Sequence, residues 1–423
     1  MIIADRLPCG VQVVCEETAD AQAACIGIWI GAGSSRETPG QAGISHFIEH
    51  MFFKGTEKRT AREIARDTDN IGASVNAFTG KEATCYHMKA LTEKFPEAVE
   101  ILLDMLCHSV FDPREIQKER GVILEEMQMI QDTPDDYIID LLTGTVLRDT
   151  DLASSIIGTR TSLRKLGRSQ ILSYIRGQYA RDNIVVSVVG NFDRQALFEQ
   201  LEEALSGLPP WKEQTPESAL PEGRRFLSKV KDVGQTHLAI GQPGVSLSSE
   251  LYYAQAIVND VLGGSMSSRL FQSIREDRGL AYTVYSAGSS YIRTGMYYIY
   301  AGVGIGKEEE TLNAIAVELK QLQKEMLTAE ETDIVKQRLK SGYIFSLESM
   351  NSRMYRLGKN MLLLGRYYTP EEVMADIDGV TRDQIAEVCR MVGDLSAYSG
   401  VAISKEKLDL QKFMIHSQAA GYE

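Results

Sequence analysis

No run in this 423-residue chain approaches the roughly 18 consecutive apolar residues that a membrane span needs, so no membrane partner is expected. Residues 1–14 lack a basic start followed by a long apolar core, so no signal peptide is expected. None of the six cysteines (Cys9, Cys15, Cys25, Cys85, Cys107, Cys389) forms a CxxC pair, which argues against a zinc knuckle or a redox dithiol. Several lie in apolar runs, as at Leu106-Cys107 and Val388-Cys389, where a reduced thiol behaves as a small hydrophobe. A reducing, cytoplasmic location is expected. Positive charge is in deficit, with 45 Lys and Arg against 58 Asp and Glu, a net −13. With no local basic patch, nucleic-acid binding is not expected. The chain is 43% apolar and 24% charged, an ordinary globular composition that excludes whole-chain disorder.

What is present reads as two similar halves. The first opens with alternating segments at Val11–Val14 and Ala23–Ile30. Helices are predicted from about Ile44 to Lys54, Ala61 to Ile71 and Phe95 to Val110, and a long helix starts at Asp112-Pro113 with Asp112 as its cap. Ala83–Lys89 and Asn183–Gly190 read as strands. Residues 207–225 carry Pro209, Pro210, Pro216 and Pro221, a linker composition. The order then repeats: a strand at His237–Gly241, a helix at Leu251–Leu262, a strand at Gly295–Gly302, helices from Glu308 and Thr328, and a closing strand at Ser396–Ile403. The expectation is an α+β fold of two duplicated modules, 1–210 and 225–423, joined by a linker over 211–224. Gly302-Val-Gly-Ile-Gly-Lys307 is one residue short of a phosphate loop and reads as a strand end and turn.

The chemistry concentrates in His46-Phe-Ile-Glu-His50. Residues four apart share one face of a helix, so both imidazoles point the same way and can fill two positions around zinc. Glu49 stands beside them without having to ligate, where a general base for an attacking water belongs. The spacing is that of the inverzincin motif. Two chance histidines on an amphipathic helix is the rival reading. Against it, two of only six histidines fall in this window, and Ile48, Met51, Phe52 and Phe53 supply an apolar shell. His87 and His108 are out of register and are read as packing or surface residues. A third ligand is needed. The long helix offers Glu115, Glu119, Glu125 and Glu126; spacing favours Glu126, with Glu119 two turns away on the same face, but leaves the choice open.

His46-Phe-Ile-Glu-His50-Met-Phe-Phe-Lys-Gly-Thr56, followed by Glu119-Arg-Gly-Val-Ile-Leu-Glu-Glu-Met-Gln128, resembles the pitrilysin/insulysin family of zinc peptidases, most closely the catalytic subunits of processing peptidases and their small bacterial relatives. The resemblance spans essentially the whole chain. It implies a clamshell of two modules, each a mostly antiparallel sheet packed with helices, and one Zn²⁺ per chain. Glu126, 76 positions after His50, would be the third ligand and Glu119 an auxiliary catalytic carboxylate.

Further roles follow from the same resemblance. Asn76, Ala77 and Phe78 match the edge strand that binds substrate backbone by β-augmentation. In the second half, Arg275 and Tyr282 would hold the substrate carbonyl and stabilise the oxyanion. Asp136 and Asp140, one helical turn apart, match acidic positions that hold a basic side chain, although Asp136 stands where relatives have Glu. The helix Tyr252–Asp260 has no histidine, so the second module is expected to be an inactive lid or substrate wall. Relatives close a chamber from four modules, which implies a homodimer. The expected function is a zinc endopeptidase cleaving short or unfolded peptides in a chamber, favouring basic residues near the scissile bond. A non-catalytic scaffold or presequence-binding subunit is the alternative, and a metal hydrolase of non-peptide substrates a further one. An N/N/O site also accepts manganese or cobalt.

Overall fold

The computed structural model describes residues 2–211 and 223–420, without the side chains of 418–420; most of the predicted linker, 212–222, lies outside the described residues. The chain forms two compact units. The first gathers Met1–Met127, Ser154–Glu217 and Ile344–Tyr368, and the second Gln128–Ala153, Ser218–Tyr343 and Thr369–Glu423.

The first unit is built on six strands: β1 (Ile2–Arg6), β2 (Gln12–Glu17), β3 (Ala23–Ile30), β4 (Ser74–Thr79), β5 (Thr84–Leu91) and β6 (Ile184–Gly190). Their order is β1-β2-β6-β3-β5-β4, antiparallel except for β2 beside β6. The second unit holds β7 (Phe226–Val230), β8 (Thr236–Gly244), β9 (Ala281–Ser290), β10 (Gly295–Val303) and β11 (Ser399–Ser404). Their order is β7-β11-β8-β10-β9, antiparallel except for β7 beside β11. Set β1 aside and the two sheets have one topology, with β4 and β9 at equivalent edges. The duplication read from element order is therefore present in the strand pairing, and the fold is α+β with mostly antiparallel sheets.

The continuously apolar strands are the central ones. All of β6 is buried, as expected for a strand covered on both faces. β4, at the edge, alternates exposed and half-buried residues.

Each unit carries one helix from the other half of the sequence. The helix Met350–Leu364 lies on the first sheet, with Met354, Leu357 and Met361 buried against Val14, Cys25, Trp29, Cys85 and Val189. Gly358 permits this approach: a Cβ there would stand 2.0 Å from Trp29 Nε1, which donates to Ser187 Oγ. The helix Pro134–Val146 lies on the second sheet, with Ile138, Leu142 and Val146 packed against Ala239, Met296, Val401 and Ile403. Element order along the chain does not reveal this exchange, because neighbours in sequence are only usually neighbours in space.

Among the described residues no helix is long and apolar enough to cross a membrane. The six cysteines are free. The segment Gly302–Lys307 is the end of β10 and the turn into the helix Glu308–Glu325.

Candidate metal centre

The motif lies on the helix Ile44–Phe52 of the first unit. Ile44, Phe47, Ile48, Met51 and Phe52 bury one side of it, leaving His46, Glu49 and His50 on the other. Phe52 anchors the C-terminal end, edge-on to Tyr86 and Phe111. At the N-terminal end Gly43 takes a left-handed φ of 90°, and a Cβ there would meet the Ile157 carbonyl oxygen at 2.7 Å. The Glu37 carboxylate accepts the Gly43 and Ser45 N–H groups at 2.7 and 2.8 Å, satisfying two donors that a helix start leaves open. Sequence reading missed Glu37, because its partners lie six and eight residues away, outside the usual cap spacing.

Burial pushes the Glu37 carboxyl up to about 7, although the Ser45 and Gly43 N–H groups favour the ionised form. The folded chain therefore binds this proton more tightly than the unfolded chain, whose carboxyl keeps an ordinary value. The resulting stabilisation is full below about pH 4.5 and is lost as pH rises through 7. Discounted for partial exposure, the change is on the order of 2 kcal/mol. Denaturant titrations at pH 5 and pH 8 should show the wild-type chain losing about that much more stability over the rise than Glu37→Gln. Equal pH slopes for the two would contradict this.

The opposing helix, Pro113–Asp132, starts where Asp112 accepts the Arg114 N–H at 2.7 Å. Its buried stripe is Ile116, Glu119, Ile123 and Met127, so a carboxylate occupies a core position. Val122 on the same helix is 51% exposed.

His46, His50 and Glu126 each offer one ligand atom, and these atoms all lie within 4.8 Å of one another. The two Nε2 atoms are 3.3 Å apart, and the Glu126 oxygens stand 3.7 Å from His46 Nε2 and 3.5 Å from His50 Nε2. Tetrahedral zinc with bonds of about 2.0–2.1 Å has ligand–ligand edges of about 3.3–3.4 Å. The three donors thus stand at nearly the separations zinc requires. Burial first, and then the neighbouring His50 ring, lowers His46 to about 4, so its ring is neutral at pH 7 and has a lone pair to give. His50 Nδ1 donates to Glu119 Oε1 at 2.9 Å, which leaves Nε2 with a lone pair facing the other ring. Two imidazole nitrogens and a carboxylate fit zinc.

Glu49 lies beside this group, its Oε2 accepting a short hydrogen bond from Thr79 Oγ1. Burial raises the Glu49 carboxyl, while the Thr79 hydroxyl and His50 hold it back. Sequence reading gave Thr79 no role. Strand alternation puts it with Ala77 on the face opposite Asn76 and Phe78. Asn76 Oδ1 accepts the Ala77 N–H at 2.8 Å on the sheet edge, and Phe78 is 38% exposed. Glu119 touches His50 Nδ1, so it positions that ring.

The remaining predicted residues belong to the second unit. Arg275 lies in a π-helical turn, Phe271–Glu276, and stacks between the rings of Phe271 and Tyr282 at 4.7 and 4.8 Å. Tyr282 is on edge strand β9 and 76% exposed. Asp136 and Asp140 lie one turn apart on the helix Pro134–Val146. The helix Tyr252–Gly263 carries no histidine. His87 bonds the Tyr355 hydroxyl at 2.9 Å, and His108 pairs with Asp104 at 3.2 Å; neither joins the metal group.

The chain is similar to known proteins in both sequence and fold. A family model described as "Insulinase (Peptidase family M16)" matches residues 12–160, and one described as "Peptidase M16 inactive domain" matches residues 165–339. A Bacillus subtilis protein described as an uncharacterized zinc protease, YmxG, is 40% identical over 90% of this chain and 93% of its own length. A Rickettsia bellii protein, also described as a zinc protease, is 33% identical over 94% of this chain and 96% of its own length. Among solved structures, a peptidase M16 inactive domain from Pseudomonas fluorescens superposes with a TM-score of 0.89 at 19% identity, covering 96% of this chain and 98% of that one. A protease from Helicobacter pylori superposes at 0.87 and 21% identity, covering 96% and 99%. These two show the fold.

Proposed function

This chain belongs to the insulinase family of peptidases (M16), and from that premise we propose that it is a zinc-dependent endopeptidase cleaving short or unfolded peptides. The observation that carries the reading is the convergence of His46, His50 and Glu126, with a base-type carboxylate, Glu49, alongside. His46, His50 and Glu126 would hold one Zn²⁺. The ion would supply Lewis-acid polarisation of the scissile carbonyl and make water a better nucleophile.

The chain's own residues do the rest. Glu49, aligned by Thr79, takes the proton of the attacking water and passes it to the leaving amine. Glu119 fixes the His50 tautomer. The open edge of β4 receives the peptide backbone: the Ala77 N–H, now held by Asn76, passes to a substrate carbonyl while the Asn76 amide turns to the peptide. Only an extended chain can add to such an edge, which supports unfolded or short substrates. Arg275 is assigned to a substrate carbonyl and Tyr282 to the oxyanion. Asp136 and Asp140 are assigned to an Arg or Lys side chain near the scissile bond. The resemblance supports a cytoplasmic homodimer that encloses its substrate, with the second module as a catalytically inactive wall.

A peptide library digested with and without chelator tests this reading. Cleavage should disappear with chelator and return with zinc, at sites enriched in Arg or Lys. Asp136→Ala and Asp140→Ala should flatten that enrichment. Cleavage indifferent to chelator, or no cleavage by zinc-loaded protein, would overturn the reading, the latter in favour of a scaffold or binding subunit.

A further inference from the structure

We propose that Lys54 is a positioning residue of the metal centre, acting through Glu119 on His50; the inference rests on the metal-site reading above. Lys54 lies two residues beyond the end of the helix that carries His46 and His50, in the turn that closes it. Its N–H bonds the Met51 carbonyl at 3.0 Å, and Gly55 turns the chain away immediately afterwards with φ 121°. The ammonium thus stays over the end of the helix.

Glu119 sits between the two. Its Oε1 takes the His50 Nδ1–H at 2.9 Å and its Oε2 is paired with Lys54 Nζ at 2.8 Å. The residue is only 4% exposed. A lysine ammonium can donate but cannot accept, so Oε2 is committed as an acceptor and Oε1 is left to His50. Both oxygens are engaged, and the carboxylate cannot turn without breaking one bond. Without Lys54, Oε2 loses its cationic partner in a buried place, and Glu119 is free to turn off His50. The ring then loses the bond that decides which nitrogen carries the hydrogen, and with it the reserved lone pair on Nε2.

A second effect has the opposite sign. A positive charge near a cation site repels the cation directly, so removing Lys54 could tighten metal binding. Orientation wins here because the ammonium charge is spent on a carboxylate 2.8 Å away.

The test is zinc affinity of metal-stripped full-length protein, measured by competition with a fluorescent chelator. Lys54→Met should weaken zinc about 10-fold, and Lys54→Arg should stay within about 3-fold of wild type. In a Glu119→Gln background, Lys54→Met should change affinity by less than about 2-fold, because the intermediary is gone. Circular dichroism checks that each variant is folded. Wild-type affinity in Lys54→Met, tighter binding, or an undiminished loss in the Glu119→Gln background would overturn the inference. A wild-type chain that takes up no zinc would instead overturn the metal-site reading beneath it.

Discussion

Glu49→Gln should take up as much zinc as the wild-type chain and lose peptide hydrolysis by about 10³-fold, the usual worth of a positioned general base. The substitution keeps the size of the side chain and keeps an oxygen that can accept from Thr79 Oγ1. It removes only the capacity to take a proton. None of the three ligand atoms belongs to residue 49, so metal content should not change. Zinc measured by elemental analysis, beside kcat on a fluorogenic peptide, separates the two properties. A variant that loses zinc would make Glu49 a ligand, and a variant that keeps its activity would remove it from the chemistry.

His46→Ala should lose both properties. Zinc held by few ligands has little to spare. If a full structural site is worth about 10–16 kcal/mol, one ligand is worth about 3 kcal/mol, or roughly 100-fold in affinity. The helix itself should persist, since alanine is a good helix former and Phe47, Ile48, Met51 and Phe52 still bury the opposite side. Unchanged circular dichroism, with hydrolysis absent and zinc yielded to a competing chelator that the wild-type chain withstands, is the expected pattern. Wild-type zinc affinity in that competition would show that the ion sits elsewhere. The two variants together form a contrast: one empties the site, the other silences it while full.

Much of this was legible before any coordinates. The His46–His50 spacing works because a helix repeats every 3.6 residues, and the apolar residues around it determine which face is buried. Glu126 needed more than spacing. Four carboxylates on one helix offered themselves, and only a resemblance across two distant segments chose among them. The residues that escaped notice hold functional groups in place through contacts distant in sequence. Glu37 caps the motif helix from six and eight residues away, Thr79 reaches Glu49 across 30 positions, and Lys54 meets Glu119 across 65. Such pairings leave no periodicity to read. The exchanged helices escaped for the same reason. Met350–Leu364 is an ordinary amphipathic helix in sequence, and nothing local tells it which sheet to cover.

That exchange means the two halves are clasped, each completed by a piece the other supplies. A protease that nicks the proline-bearing segment around 207–225 would not release two separate proteins. A gene fragment ending there would leave Trp29, Cys85 and Val189 without Met354, Leu357 and Met361 to cover them. The duplicated halves have become obligate companions, and the chain must be made whole before either half is sealed.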